Sequence, residues 1–132
     1  MKWKGITDKK PAVIGAIIDL GLCLNLFDQP ALMELKEAYD EFKKDFDSLG
    51  IPLPVNGKDA KLWSRDLDCA VIEHVHGLRK MGSLPKYDTV RSAFQEGKHV
   101  YLGTEFRLKN HIQIAVRESS CIKGYFLPRS PK

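Results

Sequence analysis

The spacing of hydrophobic residues changes along the chain and divides it into three regions. Residues 12–20 are almost continuously apolar and rich in β-branched side chains, which predicts a central strand covered on both faces. In the last third, Ile112, Ile114 and Val116 alternate with other side chains, which is typical of a half-buried strand. Further short or extended strand segments are predicted over 23–27, 88–94, 100–102 and 121–126.

Between these strand-like regions, apolar side chains recur every three or four residues. A stripe from Leu32 to Leu49 predicts a helix that Asp28 caps, that Pro30 helps to start and that Gly50 ends. A similar stripe predicts a second helix over 59–81. Burial of both stripes in the core is the expected role of these helices.

The order of these elements predicts the fold class. Strands come first, two helices occupy the middle and a strand-rich region closes the chain, which favours a single α+β domain with a mainly antiparallel sheet. We expect residues 1–11 to be a loose lead-in, residues 12–127 to form the domain and residues 128–132 to be a basic tail.

Composition limits the class of protein. The 132 residues are 43% hydrophobic and 29% charged, which fits one globular domain and argues against disorder. The net charge of +4 permits contact with nucleic acid or a phosphorylated ligand without requiring it. Residues 12–20 are too short to span a bilayer and include Asp19, and the N-terminus lacks a signal-peptide core, so no membrane association is expected.

The three cysteines are far apart in the sequence. Cys23, Cys69 and Cys121 have neither zinc-site nor disulfide-framework spacing. Each lies among apolar neighbours, which predicts buried free thiols and a reducing, cytoplasmic compartment.

The candidate chemistry is concentrated just before the alternating strand. Glu105, Arg107, Lys109, Asn110 and His111 place five polar groups within seven positions. A polar loop that leads into a rigid strand is a common support for reactive groups. A charged turn before a strand is equally ordinary in an α+β domain, so both interpretations stay open.

A metal site is a weaker hypothesis. His74 and His76 lie two apart in a predicted helix, where they point in different directions and cannot chelate one ion. Asp19 is more readily explained as a turn-capping carboxylate than as a ligand. A metal-dependent nuclease built from Asp19, Glu73, His74 and His76 remains an alternative, and we assign no metal ligands.

The closing half of the chain resembles the C-terminal part of ADP-ribosyltransferase-like domains. In the poly(ADP-ribose) polymerase branch, an aromatic residue follows the catalytic glutamate, and a glutamine comes eight positions after it. Glu105, Phe106 and Gln113 match this spacing. The segments at 13–21, 67–76, 87–97 and 111–126 also resemble an uncharacterised bacterial family related to these transferases.

The resemblance implies a partial ADP-ribosyltransferase-like fold and a function. NAD would be the substrate, and ADP-ribose would pass to a macromolecule, protein or nucleic acid, as in toxin or phage-defence proteins. Glu105 would be catalytic, Gln113 or His111 would position the ligand, and Arg91, held by Asp88, would pair with the diphosphate. The structural alternatives are a solvated Glu105, a strand-capping His111 and a surface ion pair between Asp88 and Arg91.

One departure from the family pattern supports a different function. The family holds nicotinamide with a His or Arg motif on an early strand and a later aromatic or Ser-Thr-Ser-type motif, and nothing before residue 12 supplies them. We therefore expect an N-terminally truncated or split domain if the resemblance holds. The alternative is a non-enzymatic interaction module, such as an antitoxin-like partner, that forms a homodimer.

Overall fold

The computed structural model describes residues 10–57 and 64–129. Within them the chain forms two α-helices and five strands. In chain order the elements are β1 (Gly15–Ile18), β2 (Cys23–Asn25), α1 (Gln29–Leu49), α2 (Asp66–Met81), β3 (Thr89–Phe94), β4 (His111–Val116) and β5 (Ile122–Phe126). A short 3₁₀ turn over Ser119–Cys121 joins β4 to β5.

The strands form two small sheets, and the predicted α+β class is confirmed. β1 pairs with β5 in an antiparallel ribbon. β2, β3 and β4 form the second sheet, in which β3 is parallel to β2 and antiparallel to β4. Antiparallel pairing therefore predominates, as expected.

Helix α1 begins and ends where its sequence signals lie. Asp28 occupies the N-cap position without a side-chain capping bond, and Pro30 falls in the first turn. Gly50 has a left-handed φ of 66° and closes the C-terminus through its backbone N–H. Helix α2 starts at Asp66, and the earlier start predicted at residue 59 involves residues 58–63, which lie outside the described residues.

The core lies between the two helices and the β2–β3 pair. Its buried members are Leu24 of β2, Val90 of β3, Ala38 of α1, and Val71 and Val75 of α2. Because Val90 faces the helices, the face of β3 that carries it is the covered face of this sheet. Beyond the helices, the same face of β3 is open and forms part of a cleft.

A polar clamp fastens α1 to α2 beside this core. Arg79 Nη1 donates to Glu34 Oε1 (2.9 Å), and the Tyr87 hydroxyl donates to Glu34 Oε2 (2.5 Å). The Arg79 guanidinium also stacks over the Tyr87 ring at 4.1 Å. Burial, and then the hydrogen bond to Glu34, raise the pKa of Tyr87 to about 12, so this phenol remains a donor at neutral pH.

Two strand predictions were wrong. The run over 12–20 is not a central strand, because β1 is short and pairs only with β5 in the described residues, and Ile17 remains 60% exposed. Residues 100–102 form bends and a turn instead of a strand, and only an isolated bridge between His99 and Arg107 lies nearby. Local apolar composition could not distinguish these exposed segments from buried strands.

The cysteine prediction was correct in part. Cys121 is buried, and burial followed by the nearby Asp88 carboxylate raises the pKa of its thiol. Cys23 is half-buried, whereas Cys69 lies exposed on α2. All three thiols are free.

Residues 95–110, which connect β3 to β4, form an irregular hairpin that we call the arm. Lys109 N donates to Glu96 O (2.9 Å) at its base, and Val100 N donates to Phe106 O (3.0 Å) further out. Thr104 is buried in the turn at the tip, where its hydroxyl accepts from Phe106 N at 3.1 Å. The arm therefore holds the residues on either side of Glu105 in defined positions.

None of the helices in the described segments is both long enough and apolar enough to cross a lipid bilayer.

Candidate functional site

The register between β3 and β4 decides which predicted site residues share a face. Phe94 lies opposite His111 and Ser92 lies opposite Gln113, so these four side chains are on the covered face that carries Val90. Arg91 lies opposite Ile114 on the other face. The sheet therefore brings His111 and Gln113 together and separates both from Arg91.

A cleft of about 540 Å³ opens on this face, where the helices stop covering the sheet. We call it the β4 cleft. Its walls are the start of α2, the end of β3, the base of the arm and β4. The lining residues are Arg65, Phe94, Gln95, Glu96, Gly97, Lys98, Arg107 and Gln113.

His111 and Gln113 form a connected pair at the edge of this cleft. The Gln113 side-chain amide lies 2.7 Å from His111 Nε2, and His111 Nδ1 lies 3.1 Å from Lys109 O. A neutral ring with its proton on Nδ1 satisfies both contacts, since Nδ1 then donates to the carbonyl and Nε2 accepts from the amide. The ring also stacks on Phe94 at 5.9 Å, which orients Gln113 relative to the aromatic wall.

The β4 cleft is lined by basic side chains that are not all paired with acidic ones. Arg65 stacks over Phe94 at 5.2 Å and is paired with Asp68 on α2. Lys98 and Arg107 form no ion pair within residues 10–57 and 64–129. Arg107 Nη1 donates to Gly97 O (3.1 Å), which fixes its guanidinium at the cleft wall, and Glu96 is the acidic residue that lines the same cleft.

Glu105 lies near the tip of the arm and is exposed. It does not line the β4 cleft, but Arg107, two residues further along the chain, does. Its neighbour Phe106 is also exposed. Glu105 is thus in the arm and Gln113 in β4, and no hydrogen bond joins the two side chains in the described residues.

Asp88 and Arg91 have structural partners of their own. Asp88 Oδ2 accepts from Leu22 N (2.9 Å), which ties the start of β3 to the turn before β2. Arg91 Nη1 donates to Asn25 Oδ1 (3.2 Å), and its guanidinium lies 4.4 Å over the Phe27 ring. The expected contact between Asp88 and Arg91 does not form, because each side chain is held elsewhere.

The residues of the metal alternative are dispersed. Asp19 Oδ1 accepts from Gly21 N (3.0 Å), as expected of a turn-capping carboxylate. Glu73 is paired with Arg117, and the His74 ring packs on Phe42. No group of three or more His, Cys, Asp or Glu side chains in the described segments is arranged to hold a metal ion.

Sequence reasoning missed most of the β4 cleft. Arg65 is remote in sequence from the focal strand, and only the fold brings it onto Phe94. Phe94 ends the segment over 88–94 that the sequence predicts as extended, and no local pattern marks it as a site residue. Arg107 is among the polar groups just before β4, but Glu105 lies only two residues earlier, so the sequence pattern gave no signal for an unpaired charge.

Comparisons of the chain with protein-family models, with curated proteins and with solved structures found no match.

Proposed function

We propose that this protein is an ADP-ribosyltransferase-like domain that binds NAD at the β4 cleft and transfers its ADP-ribose to a macromolecule. The observation that carries the proposal is the convergence of Gln113, Phe94 and Arg107 on one cleft. Gln113 belongs to the spacing that resembles the transferases, and the other two side chains suit the chemistry of NAD.

NAD presents a diphosphate, two riboses and two aromatic rings. The unpaired guanidinium of Arg107 suits the diphosphate, since its planar fork matches phosphate oxygens. Phe94 offers an aromatic wall for a base or for nicotinamide once Arg65 or His111 moves off its ring. The amide of Gln113 can donate to and accept from a ribose or a carboxamide once it is released from His111. A volume of about 540 Å³ lies within the range of small-molecule sites.

Glu105 would supply the catalytic carboxylate. Departure of nicotinamide leaves positive charge on the ribose, and a carboxylate bonded to a ribose hydroxyl stabilises that charge and orients the acceptor. Because Glu105 is exposed near the arm tip, the arm must bend toward the β4 cleft, or the substrate must extend along the arm, before this contact forms. Glu105 is two residues from Arg107, which lines the cleft.

Binding can be tested separately from transfer. We expect the Arg107→Ala substitution to weaken NAD binding by about tenfold, because a charge-assisted contact to the diphosphate is lost. Isothermal titration calorimetry with NAD provides the measurement. Lys123→Ala is the matched control, since it removes one positive charge from an exposed position on β5, away from the cleft. Equal affinities for the Arg107 variant and the unsubstituted protein would contradict this site.

A second candidate function is supported by a different surface, which we call the β1–β5 ribbon. Side chains on and beside its two strands are each more than half exposed although they are large and apolar, namely Val13, Ile14, Ile17, Tyr125, Phe126 and Leu127. An exposed apolar patch on an edge strand marks an interaction surface. We propose that a second copy of the chain covers it, so the protein would act as a homodimeric interaction module.

A second copy fits this edge because residues 11–18 contain no charged side chain. Antiparallel pairing of β1 with its symmetry mate would therefore bring no like charges together, and it would extend the ribbon to a larger sheet. Edge strands that avoid such pairing usually carry charges, which β1 lacks.

Sedimentation of a variant with a charged residue on β1 tests whether the protein forms this dimer. We expect the unsubstituted protein to sediment as a dimer at micromolar concentration and Ile17→Lys to sediment as a monomer with an unchanged circular dichroism spectrum, because a buried unpaired lysine opposes association. Met81→Lys places the same charge on an exposed apolar residue at the end of α2 and should leave the dimer intact. A monomeric unsubstituted protein would rule this candidate out.

A further inference from the structure

A second and larger cleft of about 850 Å³ lies at the C-terminal end of α2. We call it the α2-end cleft. The helix, the connection from α2 to β3 and the residues after β4 form its walls. It is lined by His76, Arg79, Lys80, Ser83, Leu84, Lys86, Tyr87, Val116, Arg117 and Glu118. None of these residues lines the β4 cleft.

Basic side chains reach this cleft from three separate segments. Lys80 comes from the last turn of α2, Lys86 from the connection to β3 and Arg117 from the residue after β4. Arg79 contributes a fourth charge but is committed to the clamp with Glu34. Because the segments are distant in sequence, the fold, and not a local run of charge, creates the cluster.

The carboxylates near these cations hold them weakly. Lys86 is paired with Glu118 and Arg117 with Glu73, and both pairs have at least one member that is largely exposed to solvent. Exposed ion pairs contribute little to stability, so an incoming anion can replace them. Lys80 forms no ion pair within the described segments.

His76 and Ser83 complete the wall of the α2-end cleft. His76 Nδ1 lies 2.7 Å from Ile72 O, but His76 Nε2 is buried without a hydrogen-bond partner in the described residues. His74 Nε2 on the same helix is buried without a partner in the described residues as well, so this atom does not by itself mark a ligand site. Ser83 has a left-handed φ of 54° because it closes the C-terminus of α2, where Leu84 N donates to Arg79 O (2.9 Å) and Ser83 N donates to Lys80 O (3.2 Å).

We infer that the α2-end cleft binds a small ligand that carries a phosphate or pyrophosphate group. Three cations on a concave wall favour a compact polyanion, and the volume of about 850 Å³ is that of a small-molecule site. Lys80, Lys86 and Arg117 would contact the anionic group. This inference does not depend on the proposed function of the β4 cleft.

Inorganic pyrophosphate is a suitable probe, followed by amide chemical shifts at constant ionic strength. We expect saturable shifts confined to residues 76–87 and 116–118. The double substitution Lys80→Ala and Lys86→Ala should weaken binding by about tenfold or more. Lys36→Ala with Lys43→Ala is the matched control, since it changes the net charge equally at two exposed lysines of α1.

The outcomes separate the two sites. Equal weakening by both double variants would mean a non-specific charge effect and would overturn the inference, as would the absence of saturable shifts at millimolar pyrophosphate. Arg107→Ala should leave pyrophosphate binding at this cleft unchanged. If Arg107→Ala instead abolishes the pyrophosphate shifts, the anion belongs to the β4 cleft and the inference is wrong, whatever the fate of the transferase proposal.

Discussion

Glu105→Gln is expected to reduce the rate of ADP-ribose transfer by about 100- to 1000-fold, the range found when one group that stabilises a charged transition state is removed. Glutamine keeps the size of the side chain but lacks the negative charge that would oppose the positive charge on the ribose. Because Glu105 is exposed and outside the cleft walls, the folded structure should be unaffected. NAD affinity should stay within about threefold, since the interaction develops mainly in the transition state.

The measurement is incorporation of labelled ADP-ribose into a mixture of acceptor macromolecules. Glu41→Gln is the matched control, because Glu41 is an exposed glutamate on α1, remote from the arm in sequence. Transfer by the Glu105 variant at the rate of the unsubstituted protein would remove Glu105 from the mechanism. The combination of normal NAD affinity and lost transfer is the expected result.

Leu24→Ala is expected to lower the free energy of unfolding by about 3 kcal/mol or more, the cost of truncating a fully buried leucine. Leu24 is 0% exposed, lies in β2 and is enclosed by Ala38, Val71, Val75 and Val90, so the side chain joins both helices to the sheet. Its removal leaves a cavity that cannot collapse without moving a helix.

Urea unfolding followed by circular dichroism provides this measurement. Leu49→Ala removes the same atoms from a leucine that is 70% exposed at the end of α1, and it should change the free energy of unfolding by less than about 0.5 kcal/mol. Similar losses for both variants would mean that the core does not lie between the helices and the β2–β3 pair.

The helices were the most predictable part of the fold. The bounds of α1 followed from Pro30 and Gly50, which act through local backbone conformation, whereas Asp28 stands at the N-cap position without a side-chain capping bond. The class of the fold followed from element order. β1 was mispredicted because a continuous apolar run reports hydrophobicity and not the number of neighbouring strands, and Ile17 is exposed on a two-stranded ribbon.

The candidate site was predictable only along a single strand. His111 and Gln113 are two apart, so any strand places them on one face. Whether Arg91 shares a face with Gln113 depends on the register between β3 and β4, which the sequence does not state, and the observed register puts Arg91 on the opposite face. Arg65 reaches Phe94 through the packing of α2, a contact between distant parts of the chain.

The most direct test of NAD binding at the β4 cleft is an amide chemical-shift titration of the isotopically labelled protein with NAD. We expect saturable shifts for Phe94, Gly97, Arg107 and Gln113, which line that cleft. Binding of NAD at this site would be disproved if NAD caused no saturable shift, or if the shifts appeared only around Lys80, Lys86 and Arg117 at the α2-end cleft.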